Sequence, residues 1–329
     1  MQLIIKKIKI ATLTLIILII GGESSCIAQL NSNITQYINN PVWLNPAFAG
    51  TRNALAVDIT TRQQWMGLDG APSTYFVGTH APINRTLMSI GGAVITDIAG
   101  PITNHQLSFS YSYLLRVNEQ MFLSAGINGG AVNHSLNLSD LDIIDQNDPH
   151  FQQSIENEFK PLIGAGAVLF TPRWYAGFSS PQLLSNETDY PEISSLTYNA
   201  GRVNFFTAGI NYTFTQDIRL RLFSLITLAE NHINSYDIGA KAELLNKISV
   251  GFNYRHNNSA AIMAGYRINE NIEIGYSYDF PINDNLHNIS NQEITLSFDF
   301  YNLIIPNRDR QFIRKTREDE DASESIRFF

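Results

Sequence analysis

Residues 106–115 read QLSFSYSYLL. Leu107, Phe109, Tyr111, Tyr113 and Leu115 alternate with Gln106, Ser108, Ser110 and Ser112. Successive side chains of a β-strand point to opposite faces, so one face of this segment is apolar and aromatic and the other is small and polar. The same period of two returns down the chain. Ile248, Val250, Phe252 and Tyr254 alternate with Ser249, Gly251, Asn253 and Arg255. Ile272, Ile274, Tyr276 and Tyr278 alternate with Glu273, Gly275, Ser277 and Asp279, and Ile294, Leu296, Phe298 and Phe300 with Glu293, Thr295, Ser297 and Asp299.

A soluble sandwich also alternates, with its apolar face inward. Two features favour a transmembrane antiparallel β-barrel instead. Segments of about ten residues recur, the length an oblique strand needs to cross a bilayer. Fourteen of them start near residues 54, 73, 86, 104, 120, 161, 173, 203, 217, 235, 247, 260, 271 and 290. The connections also alternate. Short ones (84–86, 116–120, 171–173, 215–217, 245–247, 269–271) lie between longer ones (63–72, 97–103, 134–160, 180–202, 227–234, 256–259, 281–289). Short periplasmic turns opposite longer external loops are the outer-membrane pattern, and an even strand number puts both termini in the periplasm. The fold class read from the sequence is all-β, a barrel of about 14 strands.

Composition agrees. The chain has 329 residues, 44% hydrophobic but only 16% charged, with a formal net charge of −8. Apolar content of this size excludes disorder, and the acidic balance argues against nucleic acid as a partner. One Cys excludes a disulfide framework or a Cys-based metal site. The polar strand positions carry Asp58, Arg62, Arg219, Arg221, Lys241, Glu243, Arg255, Arg267, Glu273 and Asp299, which a barrel would turn into its lumen. Trp65, Trp174, Tyr75, Tyr113 and Phe178 fall near strand ends, where an aromatic girdle in contact with membrane lipid is expected.

The ends of the chain read differently. Lys6, Lys7 and Lys9 precede an apolar run from Ile10 to Ile20, then Gly21, Gly22 and the stretch CIAQ. This is the form of a secretory signal peptide over residues 1–28, cleaved after Ala28. Acylation of Cys26 is the weaker alternative, because Glu23 stands where a lipoprotein signal has an aliphatic residue. Residues 29–50 hold two Pro in NNPVWLNPAFAG and form either a periplasmic lead-in or a plug in the lumen. The barrel is expected over 51–302, followed by a charged periplasmic tail over 303–329. That tail is either a solvated charge run or a docking peptide anchored by Ile326, Phe328 and Phe329.

No phosphate loop, HExxH, GxSxG or CxxC occurs. His134 beside Ser135 is no hydrolase pair, because neighbours on a strand face opposite ways. No catalytic residue, cofactor site or enzymatic activity is expected. Asp140, Asp142, Asp145 and Asp148 in the stretch SDLDIIDQNDP are hard ligands at short spacing and weak Ca²⁺ candidates, though the EF-hand Gly and Glu are missing. An ordinary acidic surface loop is the more common reading of such residues, and a partner-binding element outside the cell is a third.

Several stretches together resemble one family. They are NNPVWLNPAFAGTRNAL (39–55), RQQWMGLDGAPSTYFVGTHAPI (62–83), DIAGPITNHQLSFSYSYLL (97–115), LNLSDLDIIDQNDPHF (136–151), TPRWYAGFSSPQLL (171–184) and QEITLSFDF (292–300). The combination resembles the PorP/SprF family of the Bacteroidetes type IX secretion system, and the tail beyond residue 300 is a departure from it. The resemblance implies a non-enzymatic outer-membrane barrel. Its implied partners are secreted proteins with a type IX C-terminal sorting domain, gliding adhesins among them, and a periplasmic lipoprotein of the secretion or gliding machinery. The family motifs fall on Asn45, Pro46, Ala47 and Gly50, on Trp65, Gly67, Asp69, Gly70 and Pro72, and on Asp140 and Asp142. Trp65, Asp69, Asp140 and Asp142 are therefore partner-binding candidates. A barrel of 14 strands is too narrow to pass a folded adhesin, so the chain is expected to hold cargo rather than conduct it. A barrel of this size with an NPA-bearing hatch also looks like the FadL-type transporters of hydrophobic compounds, the alternative reading.

Overall fold

The structure is a computed structural model that describes residues 34–83, 86–137, 155–184, 186–189, 197–200, 202–229, 232–256, 258–282 and 289–301. The proposed leader, the acidic stretch with Asp140, Asp142, Asp145 and Asp148, and the tail with Ile326, Phe328 and Phe329 lie outside the described residues.

Among the described residues sixteen strands follow in chain order. The first seven are β1 (Leu55–Gln63), β2 (Ser73–Pro82), β3 (Met88–Ala99), β4 (Ile102–Arg116), β5 (Phe122–Leu136), β6 (Ile155–Phe170) and β7 (Trp174–Gln182). A small separate hairpin of β8 (Asn186–Asp189) and β9 (Thr197–Ala200) comes next. The rest are β10 (Val203–Thr215), β11 (Ile218–Ala229), β12 (His232–Leu244), β13 (Ile248–Arg255), β14 (Ser259–Asn269), β15 (Ile272–Pro281) and β16 (Asn291–Phe300). All but β8 and β9 close into one antiparallel barrel of 14 strands, with β7 pairing β10 directly. The seam joins β1 to β16 in unbroken register, from Leu55 opposite Phe300 to Gln63 opposite Gln292.

The alternation fixes the two faces. On β4, Phe109 is 64% exposed while Ser108 and Ser112 are buried. Ile127, Ile210, Tyr212, Phe252 and Ile262 stand exposed on the same outer wall. An apolar surface that encircles the molecule suits hydrocarbon and not water. Trp65, Trp174, Tyr75, Tyr113 and Phe178 are all exposed on it or at its rim. No helix among the described residues is long and apolar enough to cross a membrane.

Strand starts follow the sequence reading closely except at β6, which begins at Ile155 rather than near 161. Its polar opening, IENEFK, reads as loop, yet it stays paired with β5 beyond the apolar zone, with Phe159 opposite Asn133. The same extension shortens connections expected to be long. Only Gly100 and Pro101 join β3 to β4, and only residues 230–231 join β11 to β12. Gly100 turns with φ of +55°, a conformation open to glycine.

Residues 34–53 lie inside the barrel against inward-facing residues of its wall, as a plug would. Two short 3-10 helices, Pro41–Trp43 and Pro46–Phe48, each start with proline, whose fixed φ suits a first helical position. Their apolar side chains meet inward-facing residues of the wall. Tyr37, Ile38 and Leu44 pack with Phe205, Phe223, Leu225 and Met263. Phe48 packs with Val168, Phe170 and Tyr175, and Ile34 with Phe76 and Ile95. The hydrophobic core thus sits inside the barrel, around the plug.

Candidate functional site

The plug is held by three groups of contacts. Toward the long-loop end, Arg62 Nη2 lies 2.7 Å from Asp279 Oδ2 and Arg62 Nη1 lies 3.2 Å from Glu293 Oε2. Arg62 also donates to Thr35 Oγ1 at 3.0 Å, and that hydroxyl donates to Asp279 at 2.8 Å. The backbone N–H groups of Thr35 and Gln36 both donate to the Glu293 carboxylate at 2.8 Å. All three charged side chains are buried. A buried charge is tolerable only when paired and hydrogen-bonded, and each charge here has both. Arg255 and Asp237, 2.9 Å apart and buried, form a second pair on the neighbouring wall.

In the middle, wall hydroxyls donate to plug carbonyls. Ser179 bonds Leu44 O at 2.8 Å, Ser124 bonds Ala47 O at 2.6 Å and Ser112 bonds Ala49 O at 2.9 Å. Asn45 accepts from Ala47 N at 2.9 Å, which caps the second 3-10 helix, and donates to the wall carbonyls of Ala167 and Phe178 at 3.2 Å. Three wall glycines let the plug approach this closely. A Cβ on Gly126 would come within 2.5 Å of Ala47 N, and one on Gly166 or Gly275 would overlap Asn45 or Gln36.

Toward the short-turn end, Gly50 N donates to His80 Nδ1 at 3.0 Å. Arg52 pairs with Asp58 at 3.0 Å and Asp299 at 3.4 Å, and bonds Asn39 O. Below it a charged lattice crosses β11 to β15. Arg267 meets Glu243 at 2.8 Å and Glu273 at 2.9 Å, while Lys241 meets Glu273 at 3.4 Å and Asn39 Oδ1 at 2.7 Å. A cavity of about 340 Å³ opens there beneath the plug. Leu55 and Phe300, the two ends of the barrel, share this short-turn end, whereas Thr35 is held near the opposite end by Arg62, Asp279 and Glu293, which together form a latch.

The sequence-derived candidates divide by place. Asn45, Ala47 and Gly50 are plug residues with contacts to the wall. Trp65 and Asp69 stand in the β1–β2 loop, which begins just beyond the plug contact Arg62. Trp65 N–H donates to Asn291 Oδ1 at 3.1 Å and Met66 N to Ser290 O at 3.0 Å. Gly67 and Gly70 have φ of +95° and +72°, and Gly70 O accepts from Gly100 N at 3.0 Å. The Trp65, Met66 and Leu68 side chains project outward, all more than 40% exposed. Sequence reading did not single out Thr35, Asp279 and Glu293, which meet at Arg62, or Asp237 beside Arg255. Their one visible signal is acidic residues at polar positions near the long-loop ends of successive strands. Among the described residues, no group of His, Cys, Asp or Glu is arranged to hold a metal.

Comparison with known proteins adds the family. No curated protein matches the chain. Solved structures with similarity include a Pseudomonas aeruginosa FadL homologue, 13% identical, with 75% of this chain and 89% of that one covered at a TM-score of 0.42. The CymD monoaromatic hydrocarbon channel is 14% identical over 83% of this chain and 95% of its own, TM-score 0.43. The Ralstonia pickettii toluene transporter TbuX is 12% identical over 80% and 93%, TM-score 0.42. The family model for the type IX secretion system membrane protein PorP/SprF matches residues 27–298. That span takes in the plug and every strand of the barrel almost to the end of β16. The chain belongs to the PorP/SprF family and is an outer-membrane component of the type IX secretion system.

Proposed function

We infer that this barrel is a non-enzymatic holder of secreted cargo at the cell surface and not a conduit. The observation that carries this reading is the plug: residues 34–53 occupy the lumen and are tied to the wall along its height. A filled lumen offers no passage for a folded protein. The binding surface is then the long-loop end, which faces the exterior in an outer-membrane barrel. The projecting Trp65, Met66 and Leu68 and the stretch with Asp140 and Asp142 supply its chemistry, and the sorting domain of a secreted protein such as a gliding adhesin is its partner. The short-turn end faces the periplasm, where the tail with Ile326, Phe328 and Phe329 docks a lipoprotein of the machinery. Export relies on cleavage of residues 1–28. Against transport of hydrophobic compounds stands the charged lattice of Arg267, Lys241, Glu243 and Glu273, which interrupts an apolar path.

The test is deletion of residues 139–148 with the barrel still inserted, followed by proteomics of the cell surface and the medium. Release of one or a few sorting-domain proteins into the medium is the expected result. Unchanged retention moves the binding surface to the 62–72 loop, and an uptake defect alone supports transport.

A further inference from the structure

The cavity beneath the plug has a charge pattern that barrel stability does not explain. Six cationic side chains line it against four carboxylates. Arg221 on β11 stands directly across the ladder from Lys241 on β12. Like charges opposite each other destabilise a strand pair. Arg219, two residues from Arg221, lies on the same face and adds a third cation to the patch.

Two carboxylates tie these cations into a lattice. Glu243 is shared by Arg267 at 2.8 Å and Arg219 at 3.8 Å, and Glu273 by Arg267 at 2.9 Å and Lys241 at 3.4 Å. Glu243 and Glu273 each serve two cations, and even with Asp58 answering Arg52 the lining holds more cationic than anionic side chains. Low-dielectric walls focus such a surplus and raise the local concentration of anions. Guanidinium groups match the paired oxygens of carboxylate and phosphate. The plug closes the roof with Ile38 and Asn39, and the turn residues Asn246 and Asn271 place the mouth at the short-turn end. The volume falls in the lower part of the range for small-ligand pockets, about 300–1,000 Å³.

We propose that this cavity is an anion-binding site, which takes a phosphate or carboxylate group presented from the short-turn side through Arg219, Arg221 and Lys241. A free oxyanion and an acidic peptide share this chemistry.

The full chain, purified in detergent, is titrated with inorganic phosphate and separately with a pentaglutamate peptide, each against chloride at equal ionic strength. The readouts are calorimetric binding and the temperature at which the barrel unfolds. Saturable binding with a raised unfolding temperature is expected. Arg221→Gln and Lys241→Gln, made singly, should each weaken it at least tenfold, while Arg173→Gln, on an exposed turn outside the cavity, leaves it unchanged. Binding of phosphate that the peptide does not displace assigns a free oxyanion, and displacement assigns an acidic peptide. No response beyond chloride in the unmodified barrel overturns the proposal, as does full binding by the inserted Arg221→Gln and Lys241→Gln variants. This outcome is independent of cargo retention, which is read at the other end of the barrel.

Discussion

Arg62 on the first strand and Glu293 on the last face each other across the seam, and their side chains meet at 3.2 Å while also gripping Thr35 of the plug. One buried pair therefore joins sheet closure to plug seating. Glu293→Gln removes the charge that answers Arg62 and weakens the acceptor of two plug N–H groups. Loss of one partner of a buried pair costs about 3–5 kcal/mol. The variant should unfold on gels at a lower temperature and pass more current in planar bilayers. Unchanged current would show that the plug is retained without the latch.

The wall glycines give a second test. Gly126→Ala brings a methyl group against the plug backbone at Ala47, whereas Gly129→Ala meets nothing closer than 3.9 Å. Overpacking should destabilise the first by about 1–3 kcal/mol. Gly129→Ala should behave as the parent in the same heat-modifiability assay. Equal behaviour of the two would mean that the plug sits loosely.

The lipid face is tested on β4. Tyr111→Arg places a charge on the outer wall and should cost about 2–4 kcal/mol near mid-bilayer, while Ser110→Arg points inward and should cost much less. Reconstitution into vesicles and unfolding in denaturant would read both. Equal losses contradict the assignment of faces.

Strands and their faces were legible because a wall between lipid and lumen imposes a strict period of two, as in QLSFSYSYLL. Lengths on the long-loop side were not. Pairing of β5 with β6 runs past the apolar zone into polar sequence that carries no alternation of hydropathy. The inward-facing Phe205 and Phe223 were also hidden. Each has an outward apolar neighbour, Phe206 and Leu222, so both faces of the strand read apolar there. Their cue was in the plug: Trp43, Leu44 and Phe48 needed an apolar wall. The latch was invisible because Thr35 joins residues more than 240 positions away, a separation no local pattern records.

The tail offers a further prediction. Tyr301 directly follows the paired seam, so the sheet is complete without the residues after it. Truncation after Tyr301 should leave insertion intact, abolish co-purification with a periplasmic lipoprotein and lower cargo export. Failure to insert would make the tail an assembly signal. Parental behaviour on both counts would leave it a solvated run of charge.

Both carboxylates that grip Thr35 come from the final hairpin, β15 and β16, while Thr35 precedes the first strand. The latch consequently has no partners until the last hairpin arrives. Seating it and zipping the seam become one terminal event in assembly, and that event reads register. A slip of β16 by one residue would turn Glu293 toward lipid, because side chains alternate. A barrel closed out of register thus has no latch and an unanchored plug, a difference that quality control in the envelope could act upon.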